Sequence, residues 1–330
     1  MCLDIIPELH SDLLFQPGSL AEAGPAVLSP GGAVSNVGTV LSRLGVRTGM
    51  TGKVGNDAFG RTLQDLLRKN APSATLAISV DDAANTSYTI VLNLSGQDRM
   101  FLHCPGANRT FRSQDVSDAT IASARLMHFG YPPLMEAIYA DDGRELVDLF
   151  QRAKGVGTLT SLDLSLPDEK SPSGQIDWEK FLVSVLPFTD YFLPSLDELA
   201  YMIDRPIFED TRTGSTGWPQ KISALADRAF GMGAKNVALK LGDRGLFYRS
   251  ETGGQFWQPC VPVNVVGTTG SGDATIAGLL AGLLGGLPIQ DSLRLACATG
   301  ARCCEQADAV SGVMDLDQVI SLMSDSDQTP

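Results

Sequence analysis

Two periods of apolar spacing alternate along the chain. A helical period marks "SNVGTVLSRLG" (35–45), closed by Gly45, and "NDAFGRTLQDLLRKN" (56–70). The second starts at an Asn cap and places Phe59, Leu63, Leu66 and Leu67 on one face. Two strand-like runs follow, "TSYTIVLNL" and "DRMFLHC", separated by "SGQ", which predicts a hairpin. From there the pattern runs strand "RLMHFG", helix "GRELVDLFQRAKG", strand "TLTSLDLSL" with Asp163 near its end, helix "WEKFLVSVL", strand "DYFL" and helix "LDELAYMI". It continues with helix "ISALADRAFGMGA" and the strands "NVALKLG", "GLFYRS" and "QFWQPCVPVNVV", and ends on helices "DSLRLACATGARCCEQ" and "LDQVISLM". Strands alternating with helices predict a mostly parallel sheet covered on both faces. The early hairpin does not fit that sheet and is expected to form a small one of its own. Ligands of open α/β sheets bind outside the carboxyl ends of the strands, so glycine turns at strand ends are where chemistry is sought.

Composition narrows the partners. The 330 residues, 43% hydrophobic, suffice for a large core, as one α/β domain or a domain with a small appendage. A formal net charge of −13 disfavours nucleic acid and anionic membranes. The six cysteines (Cys2, Cys104, Cys260, Cys297, Cys303 and Cys304) form no C-x-x-C pair, and with three histidines they predict no zinc site but reduced thiols in a cytosolic protein. The N-terminal "MCLDIIPELH" has no basic start and carries Asp4 and Glu8, unlike a signal peptide. The uncharged stretch Ala274–Gln290 is interrupted by Gly278, Gly282, Gly285, Gly286 and Pro288, so a buried helix is expected rather than a membrane span.

The stretch "NVVGTTGSGDATIAGLLAGLL" (264–284) joins an apolar run to a long apolar helix through small residues and one acid. Val261, Val263 and Val265 alternate as a strand, the turn spans Gly267–Gly272, and a helix follows. Gly270 and Gly272 permit positive φ and close approach to the backbone. The first N–H groups of a helix are unpaired and carry partial positive charge, which makes a site for an oxyanion or phosphate. "GSGDAT" lacks the third glycine of a dinucleotide fingerprint, and no G-K-[ST] follows as in a P-loop. Asp273 then has two readings: an N-cap of its own helix, or a base beside an anion hole, placed to take the proton of a hydroxyl attacking a phosphate.

These residues resemble a known family. "VVGTTGSGDATIAGLLAGLL" is similar to the C-terminal signature of the ribokinase-like (PfkB) carbohydrate kinases, and "SPGGAVSNVGTVLSRLGVRTGMTGKVGNDAFGRTLQDLL" to their N-terminal one. The resemblance covers nearly the whole chain. It implies one kinase domain over 1–330: a three-layer α/β/α fold with a small β-sheet lid from segments near 5–30 and 86–110. It also implies ATP as donor, Mg²⁺ as helper and a small sugar as acceptor, phosphorylated on a primary hydroxyl. By the resemblance Asp273 is the base, and Gly270, Ser271 and Gly272 form the anion hole. Asp4, Gly31, Gly32 and Asn36 hold the sugar. Ser195, Gly242, Gly245 and Ala298 contact the nucleotide, with Ser311 nearby, and Glu198 holds Mg²⁺ through water. Of the cations Lys53, Arg99, Arg109 and Lys240, Arg99 is expected at the acceptor and Lys240 at the nucleotide. The residues also admit structural readings: S-x-x-E at Ser195–Glu198 is a capping box, Gly242 and Gly245 suit a plain hairpin, and Asp4 could be a solvated terminal acid. His103 could equally be a structural residue of the lid.

Three positions depart from the family pattern. Gly267 replaces the leading acid of D-T-T-G, near which backbone and carboxylate groups bind a monovalent cation in some members, so the departure puts potassium activation in question. Ser195 replaces Asn. The chain begins where the family is midway through its first strand, which predicts a displaced Asp4 or lowered stability. A nucleoside kinase on the same fold and a non-catalytic sugar- or nucleotide-binding regulator are the alternative readings, and lid edges leave room for a homodimer.

Overall fold

The computed structural model describes residues 1–9, 18, 20–93, 100–213, 217–306, 308–313 and 315–326. The chain opens with β1 (Cys2–Pro7), β2 (Ala26–Gly31), α1 (Ala33–Arg43), β3 (Gly49–Gly55), α2 (Ala58–Asn70), β4 (Thr75–Asp81), β5 (Tyr88–Leu92) and β6 (Met100–Cys104). Then come α3 (Asp118–Ala122), β7 (Leu126–Phe129), α4 (Glu136–Tyr139), α5 (Arg144–Gly155), β8 (Leu159–Leu162), α6 (Trp178–Val185), β9 (Tyr191–Phe192), α7 (Leu196–Ile203), α8 (Arg205–Thr213) and α9 (Trp218–Gly231). The remainder is β10 (Asn236–Lys240), β11 (Leu246–Ser250), β12 (Gln255–Gln258), α10 (Ser271–Leu284), α11 (Ile289–Cys304) and α12 (Leu316–Ser326).

Six strands form one sheet in the order β12-β11-β10-β9-β8-β7. The four from β7 to β10 are parallel, and β11 and β12 are antiparallel to their neighbours. Side chains on a strand alternate between faces, and here the two faces feed two cores. Val237 and Leu239 of β10 and Phe247 of β11 enter the core under α5, α6, α7 and α9. Ala238, Leu246 and Tyr248 point the other way, into the core under α1, α10, α11 and α12. This is the expected three-layer arrangement. The long apolar stretch after Asp273 is the buried helix α10, flanked by α11, and no helix among the described residues is long and apolar enough to cross a membrane.

The hairpin of β5 and β6 is present, in a small sheet of order β2-β1-β5-β6. β2 and β6 are its edges, and Val27, Leu28, Met100, Phe101 and Leu102 on them are exposed. Asp4 is not displaced: it pairs with Ser29 on one side and Thr89 on the other.

Four local expectations change. The helix expected from Asn56 is capped by Asp57, whose carboxylate accepts from the Gly60 amide at 2.8 Å; Leu63 and Leu67 are fully buried, while Phe59 is exposed and meets Tyr88 edge-on. No strand forms at Val261–Val265. Pro259 and Pro262 supply no ladder donors, and the amides of Val266 and Gly267 both bond to the Cys304 carbonyl instead. A separate two-stranded parallel sheet, β3 with β4, has no counterpart in the sequence reading, because three glycines in "GMTGKVG" dilute the strand signal. The charged helix α8 was also missed; it starts after Asp204, which accepts from the Ile207 amide at 3.1 Å.

Candidate active site

The carboxyl ends of β7, β8 and β10, the first turn of α10 and the start of α1 converge on Asp273. Gly270 opens α10 in the left-handed region, with φ of 74°. A Cβ there would lie 2.5 Å from that of Ala309, so only glycine fits. The Ser271 amide turns back to the Thr268 carbonyl at 3.3 Å, and no hydrogen bond of the Gly272 or Asp273 amides occurs among the described residues. Those two N–H groups are the unpaired donors at the positive end of the helix dipole.

The Asp273 side chain does not fold onto its own helix as a cap. Its Oδ2 accepts from Asn36 Nδ2 at 2.8 Å and from the Tyr131 hydroxyl at 2.8 Å. Its Oδ1 is buried and has no partner. Burial pushes the Asp273 pKa up, while the donors Asn36 and Tyr131, and the nearby Lys240, pull it down. Asn36 is available because it lies on the first turn of α1, which Gly32 caps with φ of 82°.

Beside the glycine turn lies a buried ion pair. Lys240, the last residue of β10, donates from Nζ to Asp163 Oδ1 at 2.6 Å. Its side chain runs past Gly272, where a Cβ would be 3.7 Å from Nζ. Burial alone would lower the Lys240 pKa, but Asp163, Glu198 and Asp273 together raise it, so the ammonium is kept. Asp163 follows β8, is fully buried and has its Oδ2 unpaired; burial raises its pKa against the pull of Lys240. His128 of β7 bonds through Nδ1 to Ser161 at 2.9 Å, and burial, with Lys240 adding to it, lowers its pKa to about 3, so it is neutral.

On the small-sheet side, Asp4 packs against the Gly31 backbone so closely that a Cβ on Gly31 would lie 2.2 Å from its Oδ2. Cys2 Sγ donates to Asp4 Oδ1 at 3.2 Å. Burial raises the Asp4 pKa to about 6, partly offset by hydrogen bonds from Cys2 and Thr89, and Asp273 adds repulsion across the cleft. His103 is tied to Thr89, with Nδ1 and Oγ1 3.0 Å apart.

The expected nucleotide-side residues spread along the same rim. Ser195 and Glu198 form the capping box of α7: Glu198 Oε2 accepts from the Ser195 amide at 2.7 Å, and Ser195 Oγ from the Glu198 amide at 3.2 Å. Glu198 still acts on Lys240, Asp163 and Tyr131. Gly242 and Gly245, with φ of 64° and 88°, shape the turn between β10 and β11. Ala298 is a correction: it has no exposed surface and is enclosed in the core between α10 and α11, so it presents no face to a nucleotide. Arg99 lies outside the described residues. Lys53 and Arg109 are engaged by Asp115 and Glu136. Tyr131 was not anticipated; the signal available was an aromatic hydroxyl in "GYPP", directly after a strand of the main sheet.

Comparisons with known proteins show the family and the fold. Probable fructokinase-7 from Arabidopsis thaliana is 30% identical over 334 residues, covering 98% of this chain and 90% of that protein. Fructokinase-2 from Oryza sativa subsp. japonica is 28% identical over 94% of this chain and 88% of its own length. The fold is similar to that of an Arabidopsis thaliana ribokinase complexed with ribose and ATP, at TM-score 0.78 and 21% identity, covering 98% of this chain and 96% of the other. A fructokinase with bound ATP from Xylella fastidiosa superposes at TM-score 0.78 and 21% identity, covering 99% and 97%. Residues 2–315 match the pfkB family carbohydrate kinase as a family, and the chain accordingly belongs to the pfkB family of carbohydrate kinases.

Proposed function

We propose that this kinase transfers the terminal phosphoryl group of ATP to a primary hydroxyl of a small neutral sugar, with Asp273 as general base. The relatives named fructokinase make fructose the first acceptor to assay. The single observation that carries the reading is the state of the Asp273 carboxylate. One oxygen is held by two donors, and the other is buried and unpaired, in a helix turn whose Gly272 and Asp273 amides make no hydrogen bond among the described residues. A base needs a free lone pair within reach of the acceptor proton, and an anion hole needs donors aimed at the transferring group.

The acceptor lies between Asp4 and Asp273, which face one another electrostatically. Asp4 can accept from two adjacent hydroxyls, as polyol recognition requires. Oδ1 of Asp273 takes the proton of the attacking hydroxyl as the new O–P bond forms and the bond to the leaving ADP breaks. The Gly272 and Asp273 amides and the Lys240 ammonium bear the charge of the transferring group. Closure of the small sheet as a lid keeps water from competing with the sugar.

Mg²⁺ fits the residues present. Among the described residues there is no group of three or more His, Cys, Asp or Glu suited to a metal ion, but Mg²⁺ is usually held by one or two carboxylates together with substrate phosphates and water. Glu198 supplies a carboxylate whose charge acts on Lys240 and Asp163, and Asp163 Oδ2 is buried with no partner. Bound there through water, the ion would neutralise phosphate charge.

The test is Asp273→Asn, assayed by ADP release on a panel of fructose, other neutral sugars and nucleosides, with ATP binding followed by calorimetry. Turnover should fall by about 10²- to 10⁴-fold with ATP binding retained. Turnover near that of the unmodified enzyme would sink the proposal.

A further inference from the structure

Tyr131 has a backbone conformation that L side chains rarely adopt, with φ of 64° and ψ of 46°. Among the described residues the other non-glycine ones in that region are Asp141 and Asp142, and Asp tolerates it because its short side chain can bond locally. A bulky aromatic has no such compensation, and persists there only where its surroundings impose it. The imposing elements are visible. Pro132 and Pro133 follow, both buried, and Pro132 disfavours the right-handed helical region for the residue before it. The Tyr131 carbonyl accepts from the Leu134 amide at 3.0 Å. The result drives the phenol into the interior, with its hydroxyl on Asp273 Oδ2.

The consequence is an asymmetric carboxylate. Asn36 reaches Oδ2 from α1, and Tyr131 reaches the same atom from the loop after β7. Neither touches Oδ1, which no other group pairs. Two donors from separate elements fix both the position of Oδ2 and the rotation of the carboxylate plane. With one donor the group could turn about its last side-chain bond. We infer that Tyr131 is a positioning residue, which together with Asn36 gives the two oxygens of Asp273 separate duties: Oδ2 is anchored and Oδ1 is left to receive the acceptor proton. The inference rests on the reading of Asp273 as the base.

The charge environment agrees. The groups facing Asp273 are Asn36 from α1, Tyr131 after β7, Asp163 after β8, Lys240 from β10 and Asp4 from β1. Glu198 of α7 faces Tyr131 as well. Burial first, then the carboxylates of Asp273, Asp163 and Glu198, raise the Tyr131 pKa, so the phenol keeps its proton and is always a donor.

The experiment compares Tyr131→Phe with the unmodified kinase, measuring kcat and KM from pH 5 to 9 with saturating ATP and the best acceptor from the panel, together with Tm. The variant deletes one oxygen and leaves the ring. A hydrogen bond to a carboxylate favours its charged form, so its loss raises the pKa of the base. The acid limb of kcat should therefore move to higher pH, by about one pH unit. At the plateau kcat should fall about 10-fold, from lost orientation, with acceptor KM and Tm little changed. Tyr131→Gly relieves the backbone conformation but also deletes the ring, so it should lower Tm and turn over more slowly still. A Tyr131→Phe profile superimposable on the unmodified one in kcat and acid limb overturns the inference. So does a Tyr131→Gly enzyme that loses Tm but keeps its kcat. Asp273→Asn run in parallel separates the failures. If it retains turnover, the base reading falls whatever Tyr131→Phe does. If it is inactive while Tyr131→Phe matches the parent, only the positioning role falls.

Discussion

Asp4→Asn tests whether the cleft holds a carboxylate at a cost in stability. In the folded chain burial raises the Asp4 pKa from 3.8 to about 6. That is about two pKa units, or about 3 kcal/mol at about 1.4 kcal/mol per unit. The folded pKa lies above the unfolded one, so the folded state binds more protons between about pH 4 and pH 6. Stability from this group is therefore present below pH 4 and lost as pH rises to about 6. Asparagine has the same shape and does not titrate, and Thr89 and Cys2 can each accept from its amide. Urea denaturation of both proteins from pH 4 to 8 gives the difference between them, in which the other titrating groups largely cancel. The variant should gain on the parent by up to about 3 kcal/mol across that window. It should also bind the acceptor about 10-fold or more weakly, because a sugar hydroxyl loses its charged acceptor. In the parent, acceptor affinity should rise as pH passes about 6. Parallel stability curves for the two proteins would refute the reasoning, since they would mean that Asp4 is solvated and ordinary.

Two more outcomes follow from the same geometry. Lys240→Met leaves Asp163 buried without its partner and should destabilise the fold by about 3–5 kcal/mol, measured by urea denaturation; adding Asp163→Leu should recover most of that stability while turnover stays low. The exposed Val27, Leu28, Phe101 and Leu102 on the edge strands β2 and β6 suit a second copy of the chain, so sedimentation velocity should show a dimer that Phe101→Glu dissociates.

Much of the architecture was legible because the pattern was strong where the packing is strong. The helices α1, α2, α5, α9 and α11 carry apolar stripes, and each buries that stripe. The strands β7 to β11 were legible because they are rich in apolar residues bounded by turns. What failed was weakly marked or depended on distant partners. β3 is one-third or more glycine by composition, with Gly49, Gly52 and Gly55 in seven residues. The valines at 261–266 alternate like a strand, but Val265 and Val266 are exposed and their segment is fastened to Cys304 instead. In the site, the turn at Gly270–Asp273 is local and announces itself. The contact of Asn36 with Asp273 spans 237 positions and was not legible; the family resemblance singled out Asn36 as a sugar-binding residue, not as a partner of Asp273. The Tyr131 contact spans 142 and had no such help. Its only trace is a tyrosine before two prolines, which reads as a turn.

The proposed site offers a way for a chain of charge −13 to hold a polyanionic nucleotide. Asp4, Asp163, Glu198 and Asp273 converge on one cleft from β1, the loop after β8, α7 and α10, and the base among them can work only if its neighbours do not keep it protonated. Three features act against that outcome. Lys240 is buried among the acids and keeps its charge because of them. Asn36 and Tyr131 place two neutral donors on the base itself. On the proposed reading the attraction for phosphate would come from backbone amides at the start of α10, which carry no net charge and so add nothing to the count of formal charges. Each of these is a dipole or a single paired cation rather than a basic patch. Overall composition therefore says little about this site: in the proposed reaction, affinity for the phosphate would be set by donors within a few ångströms of Gly272, while distant surface acids are screened by salt.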